Sequence, residues 1–470
     1  MRNLWRRLKG GGAVVALWIA LCFGWTSAVY LSWLHRLIAI AGSAAADWLS
    51  MVAGYLAQAL GLALTARFMR RGRPFRAGEC FTAVTALLAA VSVPALLTDT
   101  AAGIIGFGFL MNLLCGMLSA LYLYAAARNV DARHRSMAFG GGYALATVAV
   151  GLLALIGRGS FLHSNHALLL YLLLAALLAA VTPRLRLLES GQAETAAEGE
   201  KPQRLSDKEL AVACGVTVLI SAVKNLGYSF PSAEIGAGLV PELTRLPYAV
   251  GLTAAAFIHD RNRKHGMVCT IAALIMPFIM LGLTSEPVPA TICWGLDYLF
   301  YGFFSVFRAV LFLDIASRTR RWELAPMGLL AGRVGDALGT AVGLLLAEHR
   351  LWLILVATAA FFPTVFLFFR EYQRQYEPET VRQRSEQEVF ESFCLRYDLS
   401  SREREVVRMV LDGHPNGEIA EALFITESTV KYHVRNVLQK VGCKNRAELQ
   451  RIYKLALYPE MAQEALPKIG

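Results

Sequence analysis

The chain has 470 residues and a formal net charge of +11, with 56% hydrophobic but only 17% charged residues, and its mean hydropathy is +0.46. The charge deficit lies between about residues 10 and 370, so that region reads as membrane and excludes a soluble globular domain there. The excess of basic residues falls in short loops and in the C-terminal segment and requires no acidic substrate.

In chain order, twelve apolar stretches approach the twenty residues that cross a bilayer core. They centre on 13 to 33, 46 to 66, 79 to 98, 101 to 125, 138 to 156, 166 to 182, 210 to 229, 236 to 258, 267 to 284, 290 to 312, 326 to 347 and 351 to 369. The first follows a basic start, as a signal peptide would, but no cleavage site follows and loss of one span would break the topology. Lys and Arg collect on alternate loops: Arg2, Arg6, Arg7 and Lys9; Arg67 to Arg76; Arg128, Arg133 and Arg135; Arg261, Arg263 and Lys264; Arg318, Arg320 and Arg321. The opposite loops hold little beyond Arg36, Arg158, Lys224 and Arg350. Basic loops face the cytoplasm, so an even number of spans places both termini there.

The polar stretch Pro183 to Lys208 divides the spans six and six. After span two the chain reads R-F-M-R-R-G-R-P (Arg67 to Pro74), and after span eight D-R-N-R-K (Asp260 to Lys264). Both resemble the D-R-x-G-R-K loop of the major facilitator superfamily, the first without its Asp and the second without its Gly. The resemblance implies two pseudo-symmetric halves around a midplane site; twelve helices in another arrangement remain the alternative.

Ionisable residues inside the spans are expensive and are candidates for function. Span ten carries Asp297 and Arg308, on one face but about 16 Å apart along the axis, too far to pair. Glu242 with Arg245, and Arg333 with Asp336, are each three apart and can meet on a helix surface. Two readings stand: ion pairs that hold the bundle together, or a cavity lining that contacts a small-molecule ligand. Pro241, Pro247 and Pro277 could interrupt helices near such a cavity.

Eight cysteines are scattered singly, with no C-x-x-C spacing, which argues against a disulfide framework or a zinc site. His163 and His166 fall on one loop and read as solvated rather than metal-binding. No nucleotide loop or catalytic triad is visible, so neither an enzyme nor a cofactor is expected. The charged segment from Glu371 to about Phe393, helical in its second half, would span about 25–30 Å as a flexible coil.

From residue 395 the signals change. Ser400 and Glu403 form an S-x-x-E capping box; Val406, Val407, Met409 and Val410 give the first helix an apolar face, and Gly413 suits its end. Asn416 is expected to cap a short second helix with Ile419, Ala420 and Leu423. Thr426 caps a third, with Val430, Val434, Val437, Leu438 and Val441 on one side and Ser428, Lys431, Tyr432, Arg435 and Gln439 on the other. Asn445 and Glu448 cap a fourth. Two short helices joined by a tight turn, the second with a basic stripe, make a helix-turn-helix that enters the major groove of double-stranded DNA.

L-S-x-R-E-x-E-V (Leu399 to Val406), G-x-x-N-x-E-I-A (Gly413 to Ala420), T-V-K-x-H (Thr429 to His433), K-V-G (Lys440 to Gly442) and N-R-A-E (Asn445 to Glu448) together resemble the LuxR-type helix-turn-helix. The resemblance implies that Lys431, Tyr432 and Arg435 face the major groove, that Ser428, Thr429 and Lys440 lie near the DNA backbone, and that the fourth helix supports a homodimer on DNA. Gly417 departs from the family's usual Lys. Neither a phosphoacceptor receiver nor a soluble acyl-homoserine-lactone sensor fits the apolar region upstream.

The expected fold is all-α, a membrane bundle of about twelve spans followed by a four-helix DNA-binding domain. The expected divisions are 1–182 and 210–370 for the two sets of six spans, 183–209 for a cytoplasmic linker, 371–394 for a tether and 395–458 for the helix-turn-helix. The expected function is a membrane-bound one-component transcriptional regulator, embedded in lipid, that senses a small molecule. The alternatives are a major-facilitator-like transporter with a regulatory DNA-binding tail, and a constitutive DNA tether.

Overall fold

A computed structural model describes residues 12–70, 76–155, 165–185, 187–188, 205–226, 239–280 and 287–457. Every regular element among them is helical, with no strand. The chain forms two compact units, Met1–Tyr372 and Gln373–Gly470. Several features expected from sequence lie outside the described residues: the basic residues before Gly12, Arg71 to Pro74, Arg158, His163, and most of the stretch from 183 to 208. The side chains of Pro241, Glu242, Lys264, Pro277 and residues 372–386 lie outside them as well.

The first unit is built from α1 (Ala13–Ala41), α2 (Ser43–Arg70), α3 (Ala77–Leu97), α4 (Ala101–Asn129), α5 (Arg135–Leu155), α6 (Asn165–Leu185), α7 (Asp207–Asn225), α8 (Leu246–Arg261), a broken α9 (Arg263–Thr270, Ile271–Ile275 and Met276–Met280), α10 (Pro287–Thr319), α11 (Met327–Leu345) and α12 (Arg350–Arg396), of which the part to Tyr372 belongs here. Eight of these, α1 to α5 and α10 to α12, are long and apolar enough to cross a membrane. The other four occupy the places where apolar stretches were expected but fall short for separate reasons. The apolar part of α6 is Ala167–Pro183, α7 opens on Asp207, Lys208 and Glu209, α8 has 16 residues, and α9 changes to a 3-10 turn at Ile271–Ile275. Pro241 and Pro247 stand in the first turns of two helices separated at Arg245, so the expected span is interrupted there, and each proline lacks only an N–H that a first turn leaves unused.

The packing repeats with an offset of six helices. Within the first half α1 packs on α5 and α2 on α4; within the second, α7 packs on α11 and α8 on α10; across the halves α2 meets α11 and α5 meets α8. Close approach at two equivalent crossings depends on glycine. A Cβ on Gly61 would stand 2.0 Å from the Leu113 carbonyl oxygen and one on Gly116 2.1 Å from that of Gln58, while one on Gly251 would stand 2.0 Å from that of Leu299. In lipid, where helices gain nothing from excluding water, such backbone contact is a main source of association.

The Asp260–Lys264 segment ties the halves together. The Asp260 carboxylate accepts the free backbone N–H groups of Ser136 (2.9 Å) and Met137 (2.8 Å) at the start of α5, where the helix dipole favours an anion. Arg263 donates to Ser136 Oγ at 2.7 Å and to Asp314 at 3.0 Å, and Arg135 reaches the same Asp314 at 2.6 Å. The motif fragment visible in the sequence is thus an interhelical ion network.

The second unit contains α13 (Ser401–Leu411), α14 (Asn416–Ala422), α15 (Glu427–Val441) and α16 (Arg446–Leu457). The Ser400–Glu403 capping box is present, Gly413 takes φ +90 after α13, and Thr426 caps α15 by accepting from the Thr429 N–H at 3.3 Å. Asn445 Oδ1 accepts from the Glu448 N–H at 2.9 Å. Asn416 is a correction: Pro415 takes the cap position, and Asn416 is the first helical residue, its Oδ1 accepting instead from Arg446. The core gathers Val406, Val407, Val410, Ile419, Val430, Val434, Val437, Val441 and Leu449, with Phe390, Phe393 and Cys394 from the end of α12. The segment expected to act as a tether thus contributes aromatic core: Phe393 meets Tyr453 edge to face with centroids 5.3 Å apart.

Candidate DNA interface and membrane cavity

On α15, burial of Val430, Val434, Val437 and Val441 turns the opposite face outward, so Ser428, Lys431, Tyr432, Arg435 and Gln439 are all exposed. Tyr432 is 61% exposed, a large ring left on the polar face of a short amphipathic helix. Lys431 makes only a loose pair with Glu427 at 3.5 Å, worth a few tenths of a kcal/mol in water, so its ammonium is available to a phosphate or a base edge. Thr429 is half-buried, its hydroxyl 2.8 Å from that of Thr426.

Lys440 is differently placed. Its Nζ donates to Glu403 at 2.7 Å and to the Asp398 carbonyl at 2.7 Å. Burial alone would raise the Glu403 carboxyl, but the hydrogen bonds from Lys440 and Ser400 outweigh it and hold the carboxyl below its usual range. Lys440 therefore connects the cap of α13 to the last turn of α15, in addition to any reach toward a nucleic acid.

In the first unit the intramembrane charges converge on Asp336, which is fully buried on α11. Its Oδ1 is 3.1 Å from Lys224 Nζ, and its Oδ2 is 3.0 Å from Arg308 and 3.4 Å from Arg333. The Arg333–Asp336 spacing seen in the sequence is realised, and Arg308 joins it from α10. Asn225 fixes the far side, with Nδ2 donating to the Asp336 carbonyl at 3.1 Å and to Thr340 Oγ1 at 3.0 Å, while its Oδ1 accepts from Lys224. Gly332 leaves room for the cluster: a Cβ there would stand 2.6 Å from an Arg308 guanidinium nitrogen.

Lys224 is the residue that reading by hydropathy misplaces. It stood among the sparse loop cations, yet it is 1% exposed and its ammonium lies 4.4 Å from the centre of the Tyr301 ring, within cation–π range. The available signal was the spacing of Thr217, Ser221 and Lys224, four and three residues apart, all buried on one face of α7.

Beside this cluster lies a cavity of about 140 Å³ lined by residues of both halves. Among the described residues Arg245, Arg308 and Arg333 line it with seven tyrosines and no carboxylate side chain. Tyr248 stacks on Tyr301 at 5.3 Å, Arg245 donates to Tyr298 at 3.0 Å, and Arg333 lies 4.5 Å from the Tyr55 ring centre. Asp297 is fully buried on α10 but is not one of the lining residues. Of the six charges singled out from sequence, the structure therefore brings Arg308, Arg333 and Asp336 together and adds Arg245 to the same wall.

The sequence pattern of the GerE family, bacterial regulatory proteins of the luxR family, matches residues 398–453. The transcriptional regulatory protein DegU of Brevibacillus brevis is 48% identical over 50 residues, 11% of this chain and 21% of DegU, so the chain spans about a fifth of that relative's length. The spore germination protein GerE of Bacillus subtilis (strain 168) is 43% identical over 63 residues, 13% of this chain and 85% of GerE. The membrane helices are similar to those of the human organic anion transporter MFSD10, with a TM-score of 0.54 at 14% identity, covering 77% of this chain and 98% of that one; at that identity the likeness is one of fold. A multi-pass membrane unit whose helix packing repeats with an offset of six, similar in fold to that transporter, thus precedes a DNA-binding domain. By that domain, the chain belongs to the luxR family of bacterial regulatory proteins.

Proposed function

We propose that this chain is a membrane-bound one-component transcriptional regulator in which a small molecule occupying the cavity between the two halves changes DNA binding by the C-terminal domain. One observation carries the reading: a cavity lined by ionised and aromatic side chains in the membrane unit, in the same polypeptide as a luxR-family DNA-binding domain. A ligand acts here only through different affinity for two states of the bundle. Residues lining both halves, among them Tyr30 and Tyr143 on one side and Tyr301 and Arg333 on the other, would change separation if the halves rock. The output is a change in how freely two C-terminal domains dimerise on DNA. Lys431, Tyr432 and Arg435 read the major groove, Ser428 and Thr429 hold the backbone, and both termini lie in the cytoplasm, the side that the basic loops select.

The test is a reporter driven by a DNA target selected with the C-terminal domain, measured in cells expressing the full chain with and without candidate ligands. Output that stays constant with every ligand and with Arg245→Gln or Arg333→Gln overturns sensing. The likeness of fold to a transporter favours one other reading, a carrier with a DNA-binding tail. Saturable uptake by vesicles containing the full chain would establish it.

A further inference from the structure

We infer that the cavity takes a monoanionic, single-ring aromatic compound, a carboxylate or equivalent oxyanion, with the anion held by Arg333 and the ring among the tyrosines. This rests on the sensing reading for its biological meaning, but the binding itself is testable separately.

The charge balance of the cluster points first to an anion. Lys224, Arg308 and Arg333 gather around the carboxylate of Asp336, and the two arginines, both of which line the cavity, share its Oδ2, so among the described residues these two guanidinium charges have one carboxylate between them. Buried charge without a partner is strongly unfavourable, and removing it from water is offset only when each ion meets a counter-ion and satisfied hydrogen bonds. The three contacts are unequal. Lys224 and Arg308 sit at 3.1 and 3.0 Å, and each has a further partner, Asn225 for Lys224 and Tyr301 for Arg308. Arg333 is held at 3.4 Å, and its buried Nε has no hydrogen-bond partner. It also lines the cavity. A planar guanidinium with unused donors matches a carboxylate in two-point geometry, which a lysine cannot do.

The wall and the volume define the rest of the ligand. Tyr55, Tyr248, Tyr298 and Tyr301 present rings to the cavity, and the stacking of Tyr248 on Tyr301 leaves faces and edges suited to a third ring. A volume of about 140 Å³ resembles the roughly 150 Å³ that accepts one benzene ring, so a bulky or multi-ring compound does not fit without rearrangement. Among the described residues three arginines and no carboxylate side chain line the cavity, which disfavours an aromatic amine, whose ammonium would face the arginines.

The experiment measures binding to the full chain in nanodiscs by calorimetry, using three pairs of probes: benzoate with benzamide, 4-hydroxybenzoate with its amide, and phenylacetate with its amide. Benzylamine and inorganic sulfate serve as controls. At least one acid is expected to bind ten-fold or more tighter than its amide, with benzylamine and sulfate weaker still. Arg333→Gln should abolish that preference and Arg333→Lys restore it in part, while thermal unfolding verifies that both variants are folded. No preference for the acid in any pair, or a preference for benzylamine, overturns the anionic assignment; sulfate binding as tightly as the best acid overturns the aromatic one. An acid that binds without altering reporter output leaves this inference standing and counts against sensing, whereas output that responds to cavity variants without acid preference does the reverse.

Discussion

Replacing Asp336 with Asn removes the one carboxylate that three buried cations share, and the structure fixes the size of the effect. Lys224, Arg308 and Arg333 lie within 3.0 to 3.4 Å of it, and Asp336 itself is fully buried, so water cannot take its place. Losing one partner of a buried ion pair destabilises by about 3–5 kcal/mol, chiefly because a charge is left uncompensated. The expected result is a fall of on the order of 5–10 °C in the thermal unfolding temperature of the purified full chain. Lys224→Met takes away one cation and leaves Asp336 paired with Arg308 and Arg333, so it should be milder. In Asp336→Asn/Lys224→Met one charge of each sign is removed, so the net charge is unchanged from the native protein, and part of the loss should be recovered as a coupling of about 0.5–3 kcal/mol. Unfolding temperatures of the four proteins give the answer directly. If Lys224→Met is as damaging as Asp336→Asn, or the double variant is simply additive, Asp336 is not the counter-ion for the cluster.

Three further outcomes are expected. Lys431→Ala and Arg435→Ala, at exposed positions of α15, should each weaken binding of segment 373–470 to its target by about 1–3 kcal/mol if they touch bases, and a residue on phosphate should instead lower the salt slope by about one unit; titrations at several salt concentrations separate the two. Glu403 lies below the usual carboxylate range in the fold, so its stabilising effect is complete above the unfolded carboxylate range and is lost as pH falls through the lowered folded value; Glu403→Gln should lower the unfolding temperature of the same segment at pH 7, with the difference from the native segment vanishing in acid. Gly302→Leu should disrupt the α8–α10 crossing, since even a Cβ there would stand 2.5 Å from the Leu252 nitrogen; loss of folded protein in detergent, measured by size exclusion, checks this, and unchanged yield would mean the helices can separate cheaply.

The DNA-binding unit was legible almost residue by residue because its signals are local. The Ser400–Glu403 and Thr426 caps act within three residues, and the valines of α15 repeat at helical spacing, so the sequence carries the geometry. The exception, Asn416, failed because Pro415 accepts the cap role and Arg446, from a different helix, claims the Asn side chain. The same S-x-x-E signal at Ser206 and Glu209 caps α7, but it lies at the edge of a polar stretch whose composition suggests linker.

In the membrane unit the sequence alone determined that apolar helices would dominate and that some buried charges would lie among them, because the length and polarity of each segment are set by the bilayer. Which charges meet was decided by tertiary structure. Lys224, Arg308 and Asp336 come from α7, α10 and α11, and no spacing within a segment relates them. Glycines at the helix crossings set how closely the axes approach, and that approach turns isolated ionisable residues into one cluster beside one cavity. Periodicity places a side chain on a face of its own helix, whereas the partner of that face depends on how the helices pack.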